Sequence, residues 1–178
     1  LVLVLFLSAC ATSKGHQPEN KRQAIIEMQQ ETLADLYLAR PQAKAQIAPA
    51  PGYAVFSNAN INLILASFGG GYGIVQNNNS HRRTYMKMGE VGIGLGMGVK
   101  DFRAVFIFHD QATMKHFIES GWEFGGHADA AAKASDIGAA VGGEALLDNI
   151  TIHQLTESGL ALQATGKGSK YGKDSALN

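Results

Sequence analysis

Residues 103–109, Arg-Ala-Val-Phe-Ile-Phe-His, and the stretch that follows, 110–122, Asp-Gln-Ala-Thr-Met-Lys-His-Phe-Ile-Glu-Ser-Gly-Trp, decide the fold class. The first is an apolar run of strand length rich in β-branched and aromatic residues, which reads as a buried strand. Asp110 then offers side-chain oxygens to the free N–H groups of a helix that runs through Phe117 and Ile118 and is stopped by Gly121. Trp122 to Ala131 reads as a further strand. A strand, a short capped helix and a strand, in a chain whose other strand signals cluster apart from its helices, predict an α+β domain.

Toward the N-terminus the period changes. Asn20 is a candidate helix cap with Gln23 three residues on, and Ile25, Met28, Leu33, Leu36 and Tyr37 recur at near-helical spacing. Pro41 ends or interrupts this helix. Residues 41–47 read as a second short one, since Pro suits a first helical turn, and 48–52 as a rigid connection. Tyr53-Ala-Val-Phe56 is a short β run. Residues 62–76 and 82–99 read as the arms of a long hairpin around Asn77-Asn-Asn-Ser80, where Asn tolerates left-handed backbone angles. Toward the C-terminus, 132–149 is rich in Ala and Gly without a clear period. Ile150–Thr156 and Leu160–Thr165 flank Glu157-Ser-Gly159 as a second hairpin. From Lys167 the chain is polar, with Tyr171 suited to dock. The expected architecture is N-terminal helices packed on a twisted, mostly antiparallel, Gly-rich sheet, either open or partly closed into a barrel.

The 178 residues hold 15 basic and 15 acidic side chains, so no global field favours nucleic acid and any anion binding must be local. The one cysteine, Cys10, excludes an internal disulfide. It ends the apolar run Leu1-Val-Leu-Val-Leu-Phe-Leu-Ser-Ala-Cys10, too short for a permanent span, which needs about 20 residues, and matching the core of a secretory signal. Leu7-Ser-Ala-Cys10 has the form of a bacterial lipobox, in which the thiol accepts a diacylglycerol. With no initiator Met or basic segment ahead of it, the signal is expected to begin upstream. Ala11 rather than Asp after the cysteine favours the inner leaflet of the outer membrane, facing the periplasm. The chain thus divides into a lipoprotein signal at 1–10, a small polar tether at 11–18, one domain at 19–172 and a polar tail at 173–178.

In Gly89-Glu-Val-Gly-Ile-Gly-Leu-Gly-Met-Gly-Val99, strand alternation places Gly92, Gly94, Gly96 and Gly98 on one face and apolar side chains on the other. Such a bare face admits a closely packed backbone or a lipid chain. Dinucleotide binding is disfavoured, because G-x-G-x-x-G is missing and no βαβ context surrounds the stretch. Arg82, Arg83 and Lys87 lie beside the Asn turn, with Lys100 and Arg103 near the far end of that arm. Two arginines at a hairpin tip serve as a solvated, aggregation-resistant end or as a phospholipid headgroup contact, since guanidinium donates bidentately to phosphate. The six histidines are scattered without metal-ligand spacing. His109, Asp110 and His116 can approach across the strand–helix junction, though a cap explains Asp110. No G-x-S-x-G and no paired carboxylates are present, and Gly166-Lys-Gly-Ser169 lacks the order of a phosphate loop. No catalytic residue, metal site or cofactor is therefore predicted.

Gly121-Trp-Glu-Phe-Gly-Gly-His-Ala-Asp-Ala130 resembles the SYLF family, lipid-binding domains of bacterial lipoproteins and of eukaryotic actin-patch and phosphoinositide-binding proteins. Ala50-Pro-Gly-Tyr-Ala-Val-Phe56, Phe68-Gly-Gly-Gly-Tyr-Gly73 and Val105-Phe-Ile-Phe108 extend the resemblance across residues 30–172. The Ala-rich stretch 131–143 departs from the family, lacking its Gly-Pro-like turn, and nothing matches an actin-binding segment. The resemblance implies lipid or membrane binding without catalysis and identifies no binding residues. The sequence-level expectation is thus a non-catalytic lipoprotein, tied to the membrane through acylated Cys10, whose domain takes phospholipid or another envelope component. Arg82, Arg83, Lys87 and the Gly92/Gly94/Gly96/Gly98 face are its candidate contacts. The rivals are a structural or protein-interaction lipoprotein with no lipid beyond its anchor, and an enzyme with a cleft of convergent polar groups.

Overall fold

The run at 103–108 is a central strand because side chains on both of its faces find cover. A computed structural model describes residues 18–57, 70–91, 103–124, 144–147, 149–156, 159–160 and 168–178. In it, β1 (Gly52–Ser57) and β4 (Arg103–Phe108) pair antiparallel, Val55 opposite Val105. Alternation then sorts them. Ala54, Phe56, Ala104, Phe106 and Phe108 join one apolar cluster, and Val55, Val105 and Ile107 the other. All eight are buried. A strand covered on both sides reads as continuous apolar sequence.

The remaining strands are β2 (Gly70–Asn77), β3 (Arg83–Val91), β5 (Trp122–Phe124), β6 (Glu144–Leu147), β7 (Ile150–Thr156), β8 (Gly159–Leu160) and β9 (Gly168–Lys173). They form one sheet in the order β5-β9-β3-β2-β1-β4-β7-β6, with β8 beside β7, and every pairing is antiparallel. A flat sheet would hold β9 and β4, four places apart, about 19 Å from each other. Yet the Tyr171 ring on β9 lies 5.2 Å from the Phe106 ring on β4. The sheet therefore curls tightly around an aromatic core. Among the described residues it does not close into a barrel, so the open alternative holds and the fold is α+β.

Helix α1 (Pro18–Ala39) and α2 (Gln42–Ile47) cover the convex face. Helix α1 starts at Pro18, so Asn20 lies inside its first turn instead of capping it. Its inward stripe is Ile25, Met28, Gln29, Thr32 and Leu36, with Leu33 and Tyr37 at the margin. The two polar members are satisfied locally: Gln29 Nε2 donates to the Tyr53 hydroxyl at 3.2 Å, and Thr32 Oγ1 lies 3.6 Å from Met28 Sδ. His153, fully buried on β7, meets Gln46 of α2 at 2.9 Å. Helix α3 (Gln111–Ser120) covers the concave face. Asp110 caps it, accepting from Thr113 N at 2.7 Å, and Gly121 ends it with φ +74°. A Cβ at Gly121 would also strike the Tyr171 carbonyl, so glycine is required there twice over.

Three further expectations are corrected. The β2–β3 turn takes its left-handed residue from His81 (φ 56°), not from an asparagine. The Asn77 carboxamide instead accepts from Asn79 N and Ser80 N, and Asn78 Nδ2 donates to the Ile47 and Ala50 carbonyls. Residues 168–173 are a strand held between β3 and β5. The stretch 173–178 is no free tail: Leu177 is buried, its carbonyl accepts from Arg22 Nε at 2.8 Å, and the Asn178 side chain bonds both backbone groups of Tyr85. Cys10, tether residues 11–17, Lys100, Gly92, Gly94, Gly96 and Gly98, and residues 125–131 and 161–165 lie outside the described residues, while Pro18, expected in the tether, opens α1. Bare glycine packing does occur in β2. A Cβ on Gly73 would collide with the Phe56 ring and the Val55 carbonyl, and one on Gly71 with Ser57 O and Met88 Cε.

Candidate functional site

Among the described residues, α3 is the one helix on the concave face, and a hollow lies on each of its flanks. Met114 and Phe117 point down and are buried in the aromatic core. Phe117 packs edge-on to Phe106 at 5.9 Å and Phe108 at 5.1 Å. On one flank, Ala112, Thr113, His116, Phe117, Trp122 and Ile150 line a mostly apolar cleft of about 440 Å³. Trp122 is partly buried there, its ring 5.7 Å from Phe106 and 5.9 Å from Tyr171. The side chain of Phe124 lies outside the described ones.

The other flank faces β2, β3 and β9 across a crevice of about 260 Å³. Val75, Met114 and Ile118 make its floor. Asn77, Thr84 and Gln111 add neutral polar groups, and Arg82, Lys115, Lys173 and Glu119 supply charge. The three cations come from the β2–β3 turn, α3 and β9, and each is exposed. None takes part in the ion pairs found among the described residues, Arg22–Glu19 at 3.2 Å and Arg103–Asp35 at 2.6 Å.

The hairpin cations of the sequence are thereby divided. Arg82 borders the crevice under α3. Arg83 Nε donates to Gln76 Oε1 at 3.1 Å and lies near enough to Tyr53, on the convex face, to favour its phenolate. Burial of Tyr53 outweighs that effect and raises its pKa. Lys87 shares the convex side with Arg83 by alternation, as does Tyr85, whose ring carries the Arg22 guanidinium 5.9 Å from its centre. Lys115 and Lys173 escaped the sequence reading. The usable signal was Tyr171: once it docks inward, Lys173 two residues on shares its face. Lys115 has no comparable signal, because three elements must fold together before it meets the others.

At the start of α3, Asp110 accepts from Thr113 N, from Thr113 Oγ1 at 2.8 Å and from Asn149 Nδ2 at 2.9 Å. These bonds, the Thr113 backbone first, hold its carboxyl below the usual range. His109 Nε2 lies 2.7 Å from Thr151 Oγ1, while His116 opens onto the apolar cleft, so the two histidines and Asp110 serve separate surroundings. Among the described residues, no three His, Cys, Asp or Glu side chains gather as metal ligands, and no helix is long and apolar enough to cross a membrane.

No known protein-family profile matches the chain. It is similar to beta cell expansion factor A of Aeromonas veronii, with 34% identity over 162 residues, 88% of this chain and 58% of that protein. The chain thus spans less than two thirds of the length of the curated relative it matches.

Proposed function

We propose that this domain is a lipid-anchored, non-catalytic module of the bacterial envelope that binds phospholipid. One observation carries the reading: the same short helix separates an apolar cleft at Trp122 from a cationic crevice at Arg82, Lys115 and Lys173. That pairing suits an amphiphile, whose acyl chain gains from leaving water and whose phosphate gains from Arg and Lys donors. The resemblance to SYLF lipid-binding domains supports the same class of ligand, and the lipobox at Cys10 supports a place beside a membrane. Of the hairpin cations, Arg82 alone belongs to this reading. Arg83 and Lys87 are given no headgroup role.

The chain holds a single tryptophan, Trp122, which makes the test direct. A short-chain phosphatidylglycerol added below its micelle threshold is expected to shift Trp122 emission to the blue. The protein is expected to sediment with phosphatidylglycerol vesicles at low salt and to be released as salt rises. Unchanged emission and no sedimentation would sink the lipid reading in favour of a structural or protein-interaction role. Cys10→Ser, which cannot form the thioether, should move the protein from the membrane to the soluble fraction of expressing cells. Labelled-palmitate incorporation that survives the substitution would refute anchoring at Cys10. The relative favours a second reading, a factor for beta cell expansion as that protein's name states, and division counts of beta cells given the purified chain address it.

A further inference from the structure

We propose that the crevice between α3 and strands β2, β3 and β9 is a dedicated site for one phosphate ester group, held by Arg82, Lys115 and Lys173. The proposal rests on the lipid-binding reading above and narrows it to one place and one chemical group. Among the described lining residues, three cations against one carboxylate, Glu119, leave two positive charges in excess. Like charges drawn together by separate elements repel, and an anion between them reverses the sign of that energy. The donors differ usefully. Arg82 presents a planar fork that matches two phosphate oxygens, while Lys115 and Lys173 act as mobile point charges from opposite walls.

Size and polarity restrict the ligand further. About 260 Å³ falls below the roughly 300–1,000 Å³ of pockets that enclose drug-sized molecules, so the crevice takes a headgroup and not a whole lipid. Its floor, Val75 and Met114 among it, offers apolar contact to the carbons next to the phosphate. Glu119 accepts a hydrogen bond from a hydroxyl or ammonium beyond the phosphate and repels a second phosphate. The preferred ligand is therefore a singly phosphorylated glycerol or ethanolamine ester over a bisphosphate. A lipid headgroup and a free ester share this chemistry, and the test separates them.

The full chain is titrated by calorimetry with sn-glycerol 3-phosphate and with dihexanoyl phosphatidylglycerol, and sedimented with phosphatidylglycerol vesicles. It is compared with Lys115→Gln/Lys173→Gln and with Arg83→Gln/Lys87→Gln, which removes the same charge from the opposite face. All four side chains are exposed, so both variants are expected to melt with the parent. The first pair should weaken phosphate-ester binding at least about tenfold, near 1.4 kcal/mol, and the second less than twofold. Equal losses in the two variants would mean a diffuse field and overturn the site. Ester binding that needs Lys115 and Lys173, without vesicle binding, supports the crevice, assigns it to a free ester and removes the lipid reading. Vesicle binding indifferent to both lysines keeps the lipid reading and overturns the crevice. Binding of neither probe overturns both.

Discussion

The two faces of the sheet are covered in different ways. The convex face lies under a 22-residue helix, a second short helix and the returning segment at Leu177 and Asn178. Two of its buried polar side chains bond across to neighbouring elements, Gln29 to Tyr53 and His153 Nε2 to Gln46. Among the described residues, the concave face lies under one ten-residue helix and is filled by rings, Phe56, Phe106, Phe108, Phe117, Trp122 and Tyr171. Among the described residues, the long helix spans its face, while the short helix on the curved one has a hollow on each flank. Binding capacity is therefore expected on the side that carries the two hollows and the aromatic rings. Aromatic rings tolerate that position because each buries a large area while few side chains need ordering.

The largest effect is expected from Phe106→Ala. Phe106 meets Phe56, Phe117, Trp122 and Tyr171 at ring distances between 5.2 and 5.9 Å, so its loss opens a cavity shared by four neighbours. The expected cost is about 3–5 kcal/mol, read as a lowered urea midpoint. Leu36→Ala on the convex face is the control, at about 2–5 kcal/mol. It should leave Trp122 emission unchanged, whereas Phe106→Ala should alter it. If both variants alter that emission alike, the two faces are not separate packing units.

Gly73→Ala comes next. The added methyl meets a backbone carbonyl as well as the Phe56 ring, so a rotamer change by Phe56 cannot relieve it. Overpacking of this kind costs about 1–3 kcal/mol, or roughly 2–12 °C in melting temperature for a domain of this size. A parent-like melt would show that β2 and β1 are less tightly joined than the contact implies.

The smallest expected effect is at Asp110, and it sharpens the account of how α3 is held. Asp110→Ala should lower the melting temperature by a few degrees at neutral pH, because three donors lose their acceptor. The fold depresses the Asp110 pKa. The stability tied to its charge is therefore present above its ordinary value near 4 and is lost as pH falls through the lower folded value. The gap between variant and parent should hold from neutral pH down to about 4 and narrow below it. A gap that persists at strongly acid pH would assign the cap to geometry alone.

Much of this was legible in the chain. The buried strand at 103–108, the Asp110 cap, the Gly121 stop, the helix ended at Pro41 and the β2–β3 turn are local signals, each set within a few residues by periodicity or backbone chemistry. Strand β9 was not legible: Gly-Ser-Lys-Tyr-Gly-Lys lacks β-branched residues and is a strand because β3 and β5 hydrogen-bond it on both sides. Strand β6 falls in a stretch with no clear period and is fixed by pairing with β7. The candidate site divides in the same way. Sequence alone pointed to Arg82 and joined it to Arg83 and Lys87, because neighbours in a chain look like neighbours in space. Tertiary structure separated them, since successive strand residues point to opposite faces, and joined Arg82 instead to Lys115 and Lys173, which only the curl of the sheet beneath α3 brings to the same crevice.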